Sequence, residues 1–226
     1  MIMPNTFREK LDRGEPTVGT HFLSPDPDIP ELIGDTGLYD YGEFCAEYAA
    51  FDMQLLYHMA RAGQCANLPL MIKPDQKSES FWAQAALGAG FKSVLFTDVR
   101  TVKDIARCQQ AIRPDNPTNG GHMGVKLRRP ALSGYSDQGP GSSPESYVQD
   151  LESIVFLIMI EKHMTVENID EILSGAKDYG VDMTQWGPAD YGFSRGKPNL
   201  MNTPEIRPVE ELVIRKCLEH GIHPRI

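Results

Sequence analysis

The sequence lacks an excess of positive charge and any long apolar run. Its 226 residues carry 22 Lys and Arg against 31 Asp and Glu, a formal net charge of −9. Surfaces that bind phosphates need surplus Lys and Arg, so this balance argues against nucleic acid or anionic membrane as the main partner. No run of about 18 apolar residues is present, so we expect no transmembrane helix.

Cysteine is also scarce, and the four cysteines do not occur in closely spaced pairs. None of the four cysteines forms a C-x-x-C motif, and their spacing predicts no zinc site. Free thiols in a reducing compartment are therefore expected. The opening residues 1–16 are charged where a signal peptide needs an apolar centre. Together these features predict a cytoplasmic protein.

Short apolar runs alternate with helical patterns along the chain, which is typical of repeated βα units around a parallel sheet. The predicted strands are 17–23, 38–47, 68–74, 92–98, 154–161, 181–187 and the start of another at 221–226. The predicted helices are 5–13, 27–33, 52–64, 80–90, 101–112, 165–177 and 208–221. Thr101 and Thr165 are the expected N-caps of two of them.

One segment, 113–150, is rich in Pro, Gly and Ser and too long for a simple connection. We expect a single domain over 1–226 with 113–150 as a long irregular loop. An eight-stranded barrel needs one strand more than the seven found. Either that strand is hidden in this segment, for example at 123–127, or the chain stops short of the complete fold.

Two acids follow neighbouring apolar runs. Glu161 ends one strand, Asp190 follows the next, and one βα unit separates them. Ligands of parallel α/β folds bind at the carboxyl ends of strands, and adjacent strands lie about 4.8 Å apart. Two carboxylates so close need a proton or a cation between them. A Mg²⁺ or Mn²⁺ ion completed by water and substrate oxygens is one solution, and unrelated surface acids are the alternative.

The residues between strand and acid fit a small binding pocket. Gly187 allows close backbone approach, Pro188 fixes the turn, and Ala189 keeps the pocket floor small. The amide N–H groups of Ala189 and Asp190 are predicted to face a substrate carboxylate.

The motifs "IMIE" and "GPAD", about 29 residues apart, together with "LPLMIKP" and "GVDMTQWGPADYGFSRGKP", resemble the HpcH/HpaI aldolase family. The resemblance covers most of the chain. It implies a (β/α)8 TIM barrel of the phosphoenolpyruvate/pyruvate type, with Glu161 and Asp190 holding Mg²⁺ or Mn²⁺, or else Co²⁺ or Zn²⁺. Family members continue through one more strand and terminal helices, which favours an incomplete chain here. The resemblance also implies a homo-oligomer, a hexamer or trimer of dimers.

The family's acid–base residues are not retained. Its second strand ends Asp-Gly-Glu-His, whereas this chain has Cys45, Ala46, Glu47 and Tyr48. The family's Arg on the third strand is Lys73 here, which still supplies positive charge to an enolate oxygen. This divergence places the usual proton route in doubt.

The expected catalytic residues are therefore Lys73, His21, Tyr48 and Glu47. His21 and Tyr48 are alternative proton donors or acceptors, each with a structural alternative, and Glu47 either orients Lys73 or reaches the metal through water. Arg128, beside Arg129, is expected to bind a distal carboxylate, a neighbouring subunit or solvent only.

The resemblance implies a class II pyruvate aldolase, a lyase that cleaves or forms a 4-hydroxy-2-keto acid through a metal-bound pyruvate enolate. Its expected partners are a 2-keto acid and an aldehyde, with neither nucleic acid nor membrane. The alternatives are a 2-keto acid decarboxylase using the same enolate and a non-catalytic protein that binds keto acids.

Overall fold

A computed structural model describes residues 4–124 and 144–226 of the chain. These residues form two compact units. The first unit comprises Met1–Val94 and Gln110–Val155, and the second comprises Leu95–Gln109 and Phe156–Ile226. The predicted residue Arg128 and most of the possible hidden strand 123–127 lie outside the described residues.

The first unit alternates strands and helices. Its elements are α1 (Thr6–Asp12), β1 (Gly19–Phe22), α2 (Asp28–Asp35), β2 (Tyr41–Phe44), α3 (Met53–Cys65), β3 (Leu70–Ile72), α4 (Glu79–Ala89), the start of β4 (Ser93–Phe96) and α6 (Pro144–Glu152). All its strand pairs are parallel, in the order β1, β2, β3, β4. Three of these strands are wholly buried, as is usual for parallel strands covered on both faces. The buried residues include Glu43 in β2 and Ser93 in β4.

The second unit has the same alternation. Its elements are α5 (Val102–Ile112, whose last turn belongs to the first unit), β5 (Val155–Ile160, from its second residue), α7 (His163–Glu167), α8 (Ile169–Asp178), β6 (Met183–Trp186), α9 (Pro188–Ser194), α10 (Arg207–Glu219) and β7 (His223–Arg225). Strand β6 pairs in parallel with β5 on one side and β7 on the other. The predicted neighbours, the Glu161 strand and the strand before Asp190, are thus confirmed as partners.

The N-cap predicted for α5 is confirmed. The Asp104 carboxylate accepts hydrogen bonds from the Thr101 N–H (2.8 Å) and hydroxyl (2.9 Å), and the Asp104 N–H donates to that hydroxyl (3.4 Å). The predicted N-cap at Thr165 is wrong. Thr165 lies inside α7, fully buried, and its hydroxyl donates to the Val99 carbonyl at 2.5 Å. Its hydroxyl is therefore used in a tertiary contact rather than at a helix start.

Two other boundaries also differ from the predictions. The predicted strand 38–47 ends at Phe44, and Ala46–Tyr48 form a 3₁₀ turn, so Glu47 and Tyr48 stand beyond the strand. The helix α6 begins at Pro144, inside the segment expected to be irregular. Within the described residues, no helix is both long and apolar enough to span a membrane.

Candidate active site

Glu161 is a buried carboxylate held by a backbone amide. It directly follows β5, in which all six residues are buried, and is itself only 3% exposed. Its Oε1 accepts a hydrogen bond from the backbone N–H of Asp98 at 2.7 Å. A bond from an amide to an ionised carboxylate is stronger than a neutral one, so it fixes the side chain at the end of the strand.

Gly187 makes room for this carboxylate. Ile160 pairs with Trp186, so Gly187 follows β6 at the level where Glu161 follows β5. A Cβ at Gly187 would lie 2.7 Å from the Glu161 Cβ, 2.9 Å from its Oε2 and 2.9 Å from the Met159 Cε. A side chain at this position and Glu161 in its present place therefore exclude one another.

Asp190 lies in the first turn of the short helix α9. Pro188 occupies the start of this helix, where its fixed φ angle is suitable and its missing N–H is not needed. Tyr191 and Trp186 anchor the helix to β6, with ring centroids 5.1 Å apart. Asp190 thus lies in the turn that directly follows β6, and its side chain is 44% exposed.

Lys162 joins Asp190 to a further acid. Its Nζ lies 2.9 Å from the Asp190 Oδ1 and 2.5 Å from the Asp98 Oδ1, and its side chain is only 13% exposed. Burial alone would lower the pKa of Lys162. The hydrogen bonds to Asp98 and Asp190 and the charge of Glu161 outweigh it, and the pKa lies above its ordinary value.

Asp98 carries an unusual backbone conformation. Its φ is +58°, a left-handed value that costs energy for a residue with a side chain and that Asp tolerates better than most. This conformation accompanies an amide aimed at Glu161 and a carboxylate aimed at Lys162. The Arg100 guanidinium also donates to the Asp98 carbonyl at 2.9 Å.

Neither Asp98 nor Lys162 was among the residues predicted from the sequence. The available signal for Asp98 was that it ends an apolar run, "KSVLFTD", as Glu161 does. For Lys162 the only signal was its place beside Glu161.

In the first unit, Lys73 and Glu47 form an ion pair. The Lys73 Nζ lies 2.9 Å from the Glu47 Oε2, and Lys73 is 7% exposed. The same ammonium lies 5.1 Å from the centre of the Tyr48 ring, within the range of a cation–π contact. Of the two roles expected for Glu47, this geometry supports the orientation of Lys73.

The other predicted residues, including Tyr48, differ in their exposure to solvent. Tyr48 is 60% exposed, so the structural alternative of core packing is wrong for it. His21 is exposed at the register position opposite Glu43 of β2, which is buried. Ala189 is exposed in the first turn of α9.

The donor set suits a hard divalent cation. The oxygens of Glu161 and Asp190 are of the kind that Mg²⁺ and Mn²⁺ prefer, and the lack of a side chain at Gly187 lets Glu161 keep its place at the end of β5. In the part of the chain that the structure describes, no three or more His, Cys, Asp or Glu side chains are arranged to hold a metal. A cation held by the two predicted ligands, Glu161 and Asp190, would need to complete its coordination with other oxygens, such as those of water and substrate.

Residues 47–223 match the HpcH/HpaI aldolase/citrate lyase family. The 2-keto-3-deoxy-L-rhamnonate aldolase of Shigella boydii serotype 4 (strain Sb227) is 29% identical over 223 residues, which are 97% of this chain and 78% of that protein. The aldolase of the same name from Escherichia coli (strain K12) is 28% identical over 223 residues, which again are 97% of this chain and 78% of that protein.

Solved structures show the same fold. The HpcH/HpaI aldolase from Desulfitobacterium hafniense DCB-2 has a TM-score of 0.77 at 24% identity, covering 96% of this chain and 79% of that one. The family protein from Burkholderia cenocepacia J2315 has a TM-score of 0.80 at 22% identity, covering 98% and 83%.

Proposed function

Because the chain belongs to the HpcH/HpaI aldolase/citrate lyase family, we propose that it is a divalent-metal-dependent carbon–carbon lyase of the aldolase type. The proposed reaction cleaves or forms a 4-hydroxy-2-keto acid. Support comes from the relatives, which are aldolases of a 2-keto-3-deoxy acid. A homo-oligomeric assembly, a cytoplasmic location and closure into an eight-stranded barrel stay predictions.

The observation that carries the proposal is the placement of Glu161. It is 3% exposed, fixed through Oε1 by the Asp98 amide, and faces Gly187 with Oε2. A buried carboxylate is costly unless a cation or hydrogen bonds compensate it. Asp190 follows the paired strand β6, and we propose that these two carboxylates are the metal ligands.

When bound there, a divalent ion would supply Lewis acidity toward the keto and carboxylate oxygens of the substrate. The chain's own residues would orient the substrate and select which substrate binds. Gly187 and Pro188 shape the turn, and the amides of Ala189 and Asp190 are proposed to receive the substrate carboxylate. The roles proposed for Lys73, His21, Tyr48 and Glu47 in charge stabilisation and proton transfer rest on the sequence and on the Lys73–Glu47 ion pair.

The proposal is tested by replacing each proposed metal-binding carboxylate with the amide of the same shape, which removes its charge. Glu161→Gln and Asp190→Asn should each lower kcat/KM for pyruvate release from 4-hydroxy-2-keto acids by at least about a hundredfold, because several kcal/mol of stabilisation depend on the metal. Glu205→Gln removes an exposed carboxylate elsewhere in the same unit and should leave the rate unchanged.

Two further measurements decide between functions. Full pyruvate release after exhaustive chelation would reject metal dependence. The altered residues Cys45 and Tyr48 keep a decarboxylase open as the second candidate. Release of carbon dioxide from 2-keto acids without any aldehyde product would select it, and binding of pyruvate with neither reaction would indicate a non-catalytic protein.

A further inference from the structure

Lys162 occupies a position where its charge has a consequence for metal binding. It follows Glu161 directly, and the chain turns at this residue into α7. Its ammonium contacts Asp190 at 2.9 Å and Asp98 at 2.5 Å with little exposure to solvent. The protein therefore supplies a cation of its own to one of the two carboxylates proposed as metal ligands.

A second cation cannot share this carboxylate without cost. Two positive charges about 4 Å apart repel by roughly 4 kcal/mol at the effective dielectric constant near a protein surface. The ammonium has an alternative partner, since Asp98 already accepts its shorter contact. A shift of Lys162 away from Asp190 would leave it paired with Asp98 and the Asp190 Oδ1 available to another cation.

We propose that Lys162 is an internal counter-cation that neutralises Asp190 in the metal-free protein and must release it for a divalent ion to bind. Lys162 thereby weakens metal affinity while it stabilises the metal-free site. This inference rests on the proposed function, because it takes Asp190 as a metal ligand. Lys162 is a positioning residue, with Asp98 as the partner that keeps its ammonium when Asp190 is released.

The test compares Mn²⁺ binding and thermal stability in Lys162→Gln and the parent protein. By isothermal titration, the variant should bind Mn²⁺ at least about tenfold more tightly, because the repulsion is gone. In chelator the variant should melt at a lower temperature than the parent, and saturating Mn²⁺ should raise its melting temperature more than that of the parent.

Matched variants separate charge from shape. Lys162→Arg keeps the cation and should bind Mn²⁺ about as the parent does. Lys162→Met removes the charge from a side chain of similar length and should tighten binding as Gln does, which also covers a folding failure of Lys162→Gln. Lys216→Gln removes an ammonium from the Asp170 ion pair in the same unit and should leave Mn²⁺ affinity unchanged.

The outcomes distinguish this inference from the function on which it rests. Equal or weaker Mn²⁺ binding by the Gln and Met variants, with clear binding by the parent, overturns the role of Lys162 and leaves the metal site standing. Absence of Mn²⁺ binding in the parent and in every variant overturns the metal site itself, and this inference with it.

Discussion

Replacing Gly187 by Ala tests whether Glu161 depends on a missing side chain. The backbone φ of Gly187 is −120°, which any residue adopts, so the change imposes no conformational strain. It also removes freedom from the unfolded chain, which by itself would stabilise the protein by about 0.4–1 kcal/mol. Any net loss of stability must therefore come from contacts in the folded state.

Those contacts are severe. The new Cβ would lie 2.7 Å from the Glu161 Cβ, whereas two carbon atoms prefer about 3.5–4.0 Å. The Met159 Cε, at 2.9 Å, ends a flexible side chain and can move. The Glu161 Cβ cannot move as easily, because it is attached to the backbone directly after β5, a strand in which every residue is buried. Overpacking of this kind costs about 1–3 kcal/mol, so we expect a net destabilisation of about 1–2 kcal/mol.

The displacement should also reach the site. Glu161 must move away from β6, so the variant should lose Mn²⁺ affinity together with stability, measured by titration calorimetry and by urea unfolding. Gly124→Ala is the control, because a Cβ there meets no atom of the described residues within 4 Å. A Gly187→Ala protein as stable as the parent and with equal Mn²⁺ affinity would refute this account of Glu161.

Two further predictions concern stability. The pKa of Asp104 is lowered because hydrogen bonds from Thr101 and the preceding backbone outweigh burial, which raises it. The stability that the Asp104 carboxylate contributes is therefore fully present above its pKa in the unfolded chain, which is about 4. This stability is lost as the pH falls through the lower pKa that Asp104 has in the folded protein. Asp104→Asn should cost about 1 kcal/mol in urea unfolding at pH 7 and progressively less below pH 4, and a constant difference would contradict this. Asn5→Ala removes donors to the Lys92 carbonyl (3.0 Å) and the Ser153 carbonyl (2.8 Å) and should lower the unfolding free energy by about 1–3 kcal/mol, whereas a neutral result would mean that water replaces both bonds.

The strands around Glu161 were predictable because their signal is local and strong. A buried parallel strand usually has a largely apolar sequence, and the run before Glu161 forms the longest strand of the described residues, Val155–Ile160. The next strand, Met183–Trp186, mixes apolar and polar residues before "GPAD", and short connections place consecutive strands side by side. From these two facts the pairing of β5 with β6 followed, as did the position of Glu161 at a strand end.

The partners of Glu161 were not predictable by the same reasoning. Strand alternation assigns each side chain to a face, but it holds only while the backbone stays extended. Asp98 has left the strand and adopts a left-handed conformation, and Lys162 stands where the chain turns into α7. The Asp98 amide donates to Glu161, 63 residues away in the sequence, and the Lys162 side chain donates to Asp190, 28 residues away. Contacts this distant in sequence cannot be deduced from strand alternation.

The charges around Lys162 also bear on what the site can hold. Asp98, Asp190 and Glu161 carry three negative charges in its electrostatic environment, and the ammonium offsets one of them. Arg100 lies 3.5 Å from Asp98 but is 41% exposed, so solvent screens much of its effect. The remaining negative charge is close to two, which a divalent ion would neutralise and a monovalent one would not. An internal lysine is therefore compatible with a metal site here, since it lowers the charge of the metal-free cluster without removing the need for a second cation.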